Sequence, residues 1–292
     1  MEFLTTGEAA DYLRIGERKL YELVAEGAIP CSKVTGKWLF PRHELDRWVL
    51  SGLMRPAGMA SEPPPIVGGS QDDLLEWCLR QSGSGLATLA EGTGSGVERL
   101  LRGEAMAAAI HFHDGDESGD PNVEAVRAMP RLHDAVLVGF ARREQGLLLP
   151  PGNPKALQSL EDVLGSGAKM ALRQKGAGAQ MLLEALLARL GATPAELNSL
   201  ERPRLTGPDL AVAIRTGAAD CGVASRAAAR GAGLDFMPLA WENFDLLMRQ
   251  RSYFQQPLQA LTAFLASDVP ARRAAELTGY DVSPAGQIRF SS

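Results

Sequence analysis

The sequence predicts an α/β protein in which a small, helix-rich domain precedes a larger domain of alternating strands and helices. Three observations support this fold class. The chain has 292 residues, of which 45% are hydrophobic and 22% charged, the size and composition of about two core-forming domains. The segment Arg55–Pro65, RPAGMASEPPP, ends in three prolines that favour an extended spacer. After it, apolar strands alternate with amphipathic helices.

The proline-rich segment gives the domain limits. We predict a first domain over residues 1–55, a linker over 56–65 and a second domain over 66–292. The first 55 residues hold eight basic and eight acidic side chains, so the formal net charge of -5 belongs to the rest of the chain. The three cysteines are far apart, which is typical of reduced thiols. With neither a signal sequence nor a long apolar run, we expect a cytoplasmic protein without a membrane segment.

The first domain has the pattern of a winged helix-turn-helix. Residues 6–13 form the first predicted helix, which Thr5 or Thr6 can cap, and residues 17–25 form the second. An alternating stretch follows, with Thr35-Gly36 as a hairpin tip, and a last helix covers about 43–49. Helix, short turn, helix, wing and helix are the parts of that motif in this order.

Three stretches of this domain, EAADYL, KLYELVAEGAIP and GKWLFPRHELDRWV, resemble the excisionase-type, MerR-related DNA-binding domain. The resemblance covers residues 3–50 and departs at Gly16, where the second helix usually has a Ser cap. It implies that the second helix enters the major groove of double-stranded DNA. The predicted DNA-contacting residues are Arg18, Lys19, Tyr21, Lys33 and Lys37. Because the domain has no net charge, we expect tight binding to need a homodimer. The alternative is a solvated face of a protein–protein module.

The second domain reads as strands joined by helices. Predicted strands lie at residues 65–70, 86–89, 107–112, 136–140, 169–173 and 219–223, and predicted helices at 72–81, 94–102, 181–190 and 208–215. This alternation is typical of a parallel sheet, in which ligands gather at the carboxyl ends of the strands.

Two serines stand where strands turn into helices. Ser70 with Asp73, and Ser95 with Glu98, fit the S-x-x-[DE] capping box. Two interpretations are open: each serine caps its own helix, or several helix N-termini line one cleft and hold an anion together.

The runs EQGLLLPPGNP, ALRQKGAGAQ and IRTGAADCGV resemble the cytoplasmic PBP-like domain, which is similar to type 2 periplasmic binding proteins for molybdate. The resemblance implies two α/β lobes, one over about 66–140 and 243–292 and the other over about 141–240. Two crossing strands near Ala141 and Trp241 would join them. The ligand residues it implies are Gly69, Ser70, Gly94, Ser95, Arg173, Gln174, Gly176, Gly178 and Asp220, with Glu242 near the closing loops.

The second-lobe loop departs from the family pattern. That pattern has Asn before Arg-Gln and Arg after the glycines, where this chain has Leu172 and Gln180. Arg173 remains as the counter-charge for an anion, and its alternative role is an ion pair inside the lobe.

Metal binding and catalysis have less support in the sequence. His111 and His113 share one face of a strand, beside the acidic residues Asp114, Asp116 and Glu117. No third ligand is fixed by spacing and a solvated acidic loop fits equally well, so we predict no metal site. The run GTGSG lacks the Lys-Ser/Thr ending of a phosphate loop, and no GxSxG nucleophile motif is present. We therefore predict no catalytic residues.

The sequence thus predicts a ligand-responsive, DNA-binding transcriptional regulator rather than an enzyme. The expected ligand is a small anion, such as molybdate or tungstate, with no further cofactor. Two alternatives stay open. One is an enzyme of the same two-lobe fold in cofactor metabolism. The other is a recombination or architectural accessory protein whose large domain only dimerises.

Overall fold

The computed structural model describes residues 2–34, 36–52, 62–113 and 119–292. The chain divides into two compact units, Met1–Ala60 and Ser61–Ser292. The predicted hairpin-tip residue Thr35, most of the predicted linker and the acidic residues 114–118 lie outside the described residues.

The N-terminal unit begins its first helix at a capping box. Thr5 is the N-cap of α1, and the Glu8 carboxylate accepts a hydrogen bond from the Thr5 backbone N–H at 2.8 Å. The next helix starts at Gly16, which offers no side-chain cap. The elements of this unit are β1 (Phe3–Leu4), α1 (Thr6–Leu13), α2 (Glu17–Ala25), β2 (Phe40–Pro41) and α3 (Arg42–Ser51).

The helices and the wing of this unit pack on one small core. Leu20, Phe40 and Leu45 are fully buried in it. The bridge between Ser32 and Leu39 forms the base of the wing, and β2 pairs antiparallel with β1. The predicted helix-turn-helix architecture is confirmed.

The C-terminal unit is an α/β structure. Its elements are β3 (Ile66–Gly69), α4 (Asp73–Gln81), β4 (Ala87–Ala90), α5 (Thr93–Arg102), β5 (Ala107–Ile110), α6 (Pro121–Arg127), β6 (Ala135–Leu149), α7 (Leu160–Ser166), β7 (Met170–Ala171), α8 (Gly178–Arg189), α9 (Gly207–Arg215), β8 (Cys221–Ser225), α10 (Arg226–Ala232), β9 (Asp235–Arg249), α11 (Gln250–Tyr253), α12 (Gln256–Leu265), α13 (Val269–Leu277), β10 (Tyr280–Asp281) and β11 (Ile288–Ser291). A short 3₁₀ helix, Pro194–Glu196, precedes α9.

The strands form one sheet in the order β4-β3-β5-β9-β6-β8-β7, with β10 and β11 also paired to β6. The pairs β3–β4, β3–β5 and β7–β8 are parallel. The pairs of β6 and β9 are antiparallel, so the prediction of a parallel sheet is wrong at its centre. The reason is that β6 extends from one end of the sheet into the other, and β9 runs beside it in the opposite direction.

Both central strands are 15 residues long and include the crossing points expected near Ala141 and Trp241, whereas the apolar pattern alone predicts only residues 136–140. The polar run Arg142–Gln145 interrupts the apolar pattern and hides the continuation of β6. In the structure Arg143 and Gln145 are buried all the same, at 4% and 2% exposure. These two polar side chains therefore belong to an internal site.

Helices cover both faces of the sheet in each half of the unit. We name the half built on β3, β4 and β5 the first lobe and the half built on β7 and β8 the second lobe. The first lobe packs α4, α12 and α13 on one face and α5 and α6 on the other. The second packs α7 and α8 on one face and α9 and α10 on the other. Among the described helices, none combines the length and apolar character that a bilayer crossing needs.

Two of the three cysteines are core residues. Cys78 and Cys221 are fully buried, and burial raises the pKa of each thiol to about 12. Neither is therefore a ready thiolate.

Candidate functional site

A narrow pocket lies between the two lobes of the C-terminal unit. Its cavity volume of about 30 Å³ gives room for about two water molecules. The first lobe and the central strands contribute Ser70, Gln71, Asp72, Asp73, Gly92, His111, Arg143 and Gln145, and the second lobe contributes Arg173, Ala177, Gly178, Ala179, Gly207, Pro208, Ala224, Ser225 and Ala228. Only a ligand of a few atoms fits this form of the cleft.

The starts of five helices, α4, α5, α8, α9 and α10, meet at this pocket. Side chains of Asp72, Thr206 and Ser225 cap α4, α9 and α10. The N-caps of α5 and α8 are Gly92 and Ala177, which provide no side-chain cap. The first backbone N–H groups of these two helices are thus left for other acceptors, and they carry the positive end of the helix dipole.

The interpretation in which each serine caps its own helix is wrong. Asp72 caps α4 by accepting from the Leu75 N–H at 2.9 Å, because the helix begins later than the Ser-x-x-Asp pattern suggests. Helix α5 begins right after Gly92, which places Ser95 inside its first turn. The hydroxyl of Ser70 instead shares a 2.9 Å hydrogen bond with Thr93 at the pocket wall.

Arg173 brings a cationic group from the second lobe. Its Nε donates to the Arg204 carbonyl at 3.1 Å and one terminal nitrogen donates to the Leu205 carbonyl at 2.8 Å. No described carboxylate forms an ion pair with it, so the alternative of an ion pair inside the lobe is wrong for the part of the chain described. Burial, with a contribution from the charge of Arg143, lowers the pKa of Arg173 to about 10. Attraction by Asp209 only partly offsets this lowering, so an anion in the pocket would stabilise the charge further.

Two predicted glycines are sites of close packing. Gly69 has φ +110°, and a Cβ there would lie 2.3 Å from the Ala109 carbonyl oxygen, so glycine lets β3 run close to β5. Gly178 lies against the His111 ring. Gln174 and Gly176 belong to the loop before α8 and stand beside the pocket rather than in its wall.

Three other predicted ligand residues lie elsewhere. Gly94 and Ser95 are exposed on the first turn of α5 and do not line the pocket. Asp220 accepts a hydrogen bond from the Lys169 N–H at 2.7 Å and lies 3.4 Å from the Lys155 ammonium. Gly94 and Ser95 thus follow Gly92, which lines the pocket, without lining it themselves, and Asp220 is held by Lys169 and Lys155 instead.

A buried charge cluster lies behind the pocket wall, to which it contributes His111, Arg143 and Gln145. One oxygen of Glu242 accepts from His111 Nδ1 at 3.0 Å and from His113 Nε2 at 2.7 Å. The other accepts from Gln145 Nε2 at 2.8 Å and from Arg143 Nε. Burial alone would raise the pKa of Glu242, but the charge of Arg143 and these hydrogen bonds outweigh it and hold the pKa well below its usual range.

Arg143 connects this cluster to the first lobe. It donates to Asp72 Oδ2 at 3.0 Å, and the Tyr280 hydroxyl donates to the same oxygen at 2.9 Å. Burial lowers the pKa of Arg143, but the attraction of Glu242 and Asp72 outweighs this and raises it. Arg143 is therefore a charged group already neutralised by two carboxylates. Sequence reasoning missed it, although its position in a charged run between apolar segments is a detectable signal.

His111 and His113, which the sequence places on one face of a strand, both belong to this cluster. The ligand atoms of His111, His113 and Glu242 all lie within 4.8 Å of one another. A terminal nitrogen of Arg143, which has no lone pair to accept with, donates to His111 Nε2 at 2.9 Å. The His111 proton is consequently on Nδ1, the atom that a metal ion would have to bind. The hydrogen bonds thus describe a charge network, to which a metal ion does not fit.

The N-terminal unit presents its predicted DNA-contacting residues to solvent. The side chains of Arg18 and Lys19 are 95% and 56% exposed, and both pair with Glu22, at 3.5 and 3.2 Å. Tyr21 is exposed on the same helix. In the wing, Lys33 lies 5.0 Å from the ring centre of Trp38, and Lys37 is exposed. Exposed ion pairs of this kind are weak, so phosphate groups can replace Glu22.

Comparison with known proteins gives a consistent result. A family model described as a PBP superfamily domain matches residues 76–266, and a helix-turn-helix domain model matches residues 3–52. The uncharacterized protein YvgK of Bacillus subtilis (strain 168) is 23% identical over 308 residues, covering 97% of this chain and 96% of its own length.

Two solved structures show the same fold at low sequence identity. One is a mutant of OxyR from Corynebacterium glutamicum bound to hydrogen peroxide, with a TM-score of 0.54, 14% identity, and coverage of 94% of this chain and 92% of that chain. The other is the tungstate ABC transporter from Geobacter sulfurreducens, with a TM-score of 0.52, 12% identity, and coverage of 72% and 97%.

Proposed function

Since this chain belongs to the PBP superfamily and carries a helix-turn-helix domain at its N-terminus, we propose that it is a DNA-binding transcriptional regulator whose C-terminal unit binds a small anion between its lobes. The single observation that carries the ligand class is the meeting of five helix N-termini with Arg173 in one pocket. Two of those helix starts have no side-chain cap, and Arg173 has no carboxylate partner among the described residues.

The small unit supports the DNA-binding part of the proposal. Its second helix carries Arg18, Lys19 and Tyr21 on an exposed face, and its wing adds Lys33 and Lys37. A recognition helix flanked by a wing is how this motif reads the major groove. Because the first 55 residues have no net charge, we propose that two copies act together as a homodimer, which doubles the number of phosphate contacts.

Ligand binding would act through the equilibrium between open and closed lobes. A ligand shifts such an equilibrium only by its preference for one form. Here the closed form supplies partners from both lobes, namely Ser70 from one and Arg173 from the other. An anion that needs both groups therefore favours closure, and closure is the change to which DNA binding would respond.

The test is a thermal-shift screen of the full-length chain with oxyanions and small organic anions, molybdate and tungstate included. A ligand at 100 times its Kd adds about 3 kcal/mol to folding stability. We expect Arg173→Gln to abolish the ligand-induced shift in Tm. The control is Arg202→Gln, which removes the same charge at an exposed position outside the pocket and should keep the shift. Retardation of the DNA upstream of the coding sequence, with and without the anion, gives the regulatory readout. The proposal fails if no anion shifts the Tm or if Arg173→Gln responds like the wild type.

The enzyme alternative has a weaker basis in the geometry. Both ring nitrogens of His111 and both oxygens of Glu242 already take part in hydrogen bonds inside the cluster. These groups are thus better suited to holding the central strands and the lobes in place than to exchanging protons with a substrate.

A further inference from the structure

Not every charged side chain of the pocket wall has an oppositely charged partner. Two arginines, Arg143 and Arg173, and two carboxylates, those of Asp72 and Asp73, line the pocket, and Glu242 lies behind Arg143. Asp72 and Glu242 are both ion-paired to Arg143, so each has a cationic partner within the cluster. The groups left without an ion pair among the described residues are Arg173 in the second lobe and Asp73 in the first.

Asp73 has an unused acceptor. Its Oδ1 accepts from Gln71 Nε2 at 2.9 Å, and no described donor lies within hydrogen-bonding distance of Oδ2. The residue is part-buried and lines the pocket at the first position of α4. Burial and the nearby charge of Asp72 raise the pKa of Asp73, which indicates that its carboxylate is poorly compensated. A ligand that reaches it must therefore donate a hydrogen bond.

We propose that Asp73 is a specificity-determining residue, which makes the pocket select an oxyanion that carries a proton, of the phosphate class, over one that carries none. This inference rests on the proposed anion-binding function and adds the ligand class. The ligand's unprotonated oxygens accept from Arg173 and the helix N-termini, and its O–H donates to Asp73. Sulfate, molybdate and tungstate carry no proton at neutral pH, so one of their oxygens would face a carboxylate, whereas phosphate keeps at least one proton.

The experiment is titration calorimetry of the full-length chain with inorganic phosphate, sulfate and molybdate at pH 7. A hydrogen bond to a charged group discriminates by about tenfold or more, so we expect phosphate to bind at least tenfold more tightly than the other two anions. In Asp73→Asn the amide offers an N–H to any oxyanion and keeps an oxygen for Gln71. We expect this variant to lose the preference because sulfate and molybdate gain affinity. Glu76→Gln, which neutralises a carboxylate of the same helix outside the pocket wall, should keep it.

A second measurement checks the charge argument in the unaltered chain. As the pH falls and Asp73 takes up a proton, the carboxyl becomes a donor, and sulfate should bind more tightly. This gain should be smaller in Asp73→Asn, which has no proton to take up at this position. This inference is wrong, and the proposed function is untouched, if sulfate or molybdate binds to the wild type as tightly as phosphate does. The same holds if Asp73→Asn keeps the preference for phosphate. Binding of no anion at all overturns the proposed function as well.

Discussion

Gly178, the first residue of α8, lies so close to the His111 imidazole that a Cβ at this glycine would stand 1.8 Å from His111 Cε1. A second contact of this kind joins Gly92 and Gly176, where a Cβ on Gly92 would stand 3.1 Å from the Gly176 carbonyl oxygen. The two lobes thus meet through glycines, which allow their backbones to approach. The closed cleft depends on the absence of side chains at these positions.

The first prediction concerns closure of the cleft. In Gly178→Ala the new methyl group cannot fit beside the buried His111 ring, so the closed form becomes rarer. Ligand affinity falls with the closed fraction, and we expect anion binding to weaken at least about tenfold without loss of any charged group. Titration calorimetry measures this. Gly165→Ala, in helix α7 with open space around it, should bind like the wild type. Equal affinity of the two variants would show that the Gly178 contact does not control closure.

The second prediction is a pH dependence of stability. Burial, with the charge of Arg143 also contributing, lowers the pKa of His111 to about 4. Below the ordinary pKa of about 6.5 the unfolded chain takes up a proton that the folded chain does not, so stability falls as the pH falls. We expect His111 to account for a loss of about 2 kcal/mol between pH 7 and pH 5.

The measurement is urea unfolding of the C-terminal unit in the full chain at both pH values. His111→Gln should lose less stability on acidification than the wild type. The exposed His133→Gln should behave like the wild type. An equal loss in all three proteins would mean that His111 does not stay neutral in the folded state.

The third prediction concerns the buried charge cluster. Arg143 is ion-paired to both Asp72 and Glu242, and removing one partner of a buried pair costs about 3–5 kcal/mol. We expect Arg143→Gln to destabilise the C-terminal unit by this amount in urea unfolding. Glu242→Gln in addition should restore part of the loss, because it removes the charge that Arg143 had neutralised. A double variant as unstable as the sum of the single variants would show that the two side chains are not coupled.

The fourth prediction tests the recognition helix. The variant Arg18→Ala/Lys19→Ala removes two exposed cations, so affinity for the target DNA should fall and the log–log salt slope should drop by about two per DNA-binding unit. Gel retardation at several salt concentrations measures both effects. Arg102→Ala/Arg272→Ala, which removes the same charge from exposed positions of the other unit, should leave both unchanged. Undiminished binding by the first variant would place the DNA contacts elsewhere.

Much of the fold is readable from local sequence. The capping box of Thr5 and Glu8 and the apolar spacing of the helices are set by residues a few positions apart. The central strands were harder to predict, since Arg143 and Glu242 place charges in the middle of β6 and β9. These two residues are direct partners in the register of the strands, so each is acceptable in the core only because the other is there. No local pattern contains that information.

The candidate site also has features that the sequence predicts and features that only the tertiary structure sets. The sequence by itself predicts the helix-turn-helix and PBP-like character of the two units, and it singles out Arg173, which lies in the pocket wall. Only the tertiary structure decided which helix starts meet, that Asp72 and not Ser70 caps α4, and that Asp73 stands in the pocket while Asp220 stands outside it. The physical reason is the distance along the chain over which each interaction acts. Capping and hydrophobic periodicity act within a turn or two of chain, whereas the pocket joins residues more than a hundred positions apart whose charges matter only once packing has removed the water between them.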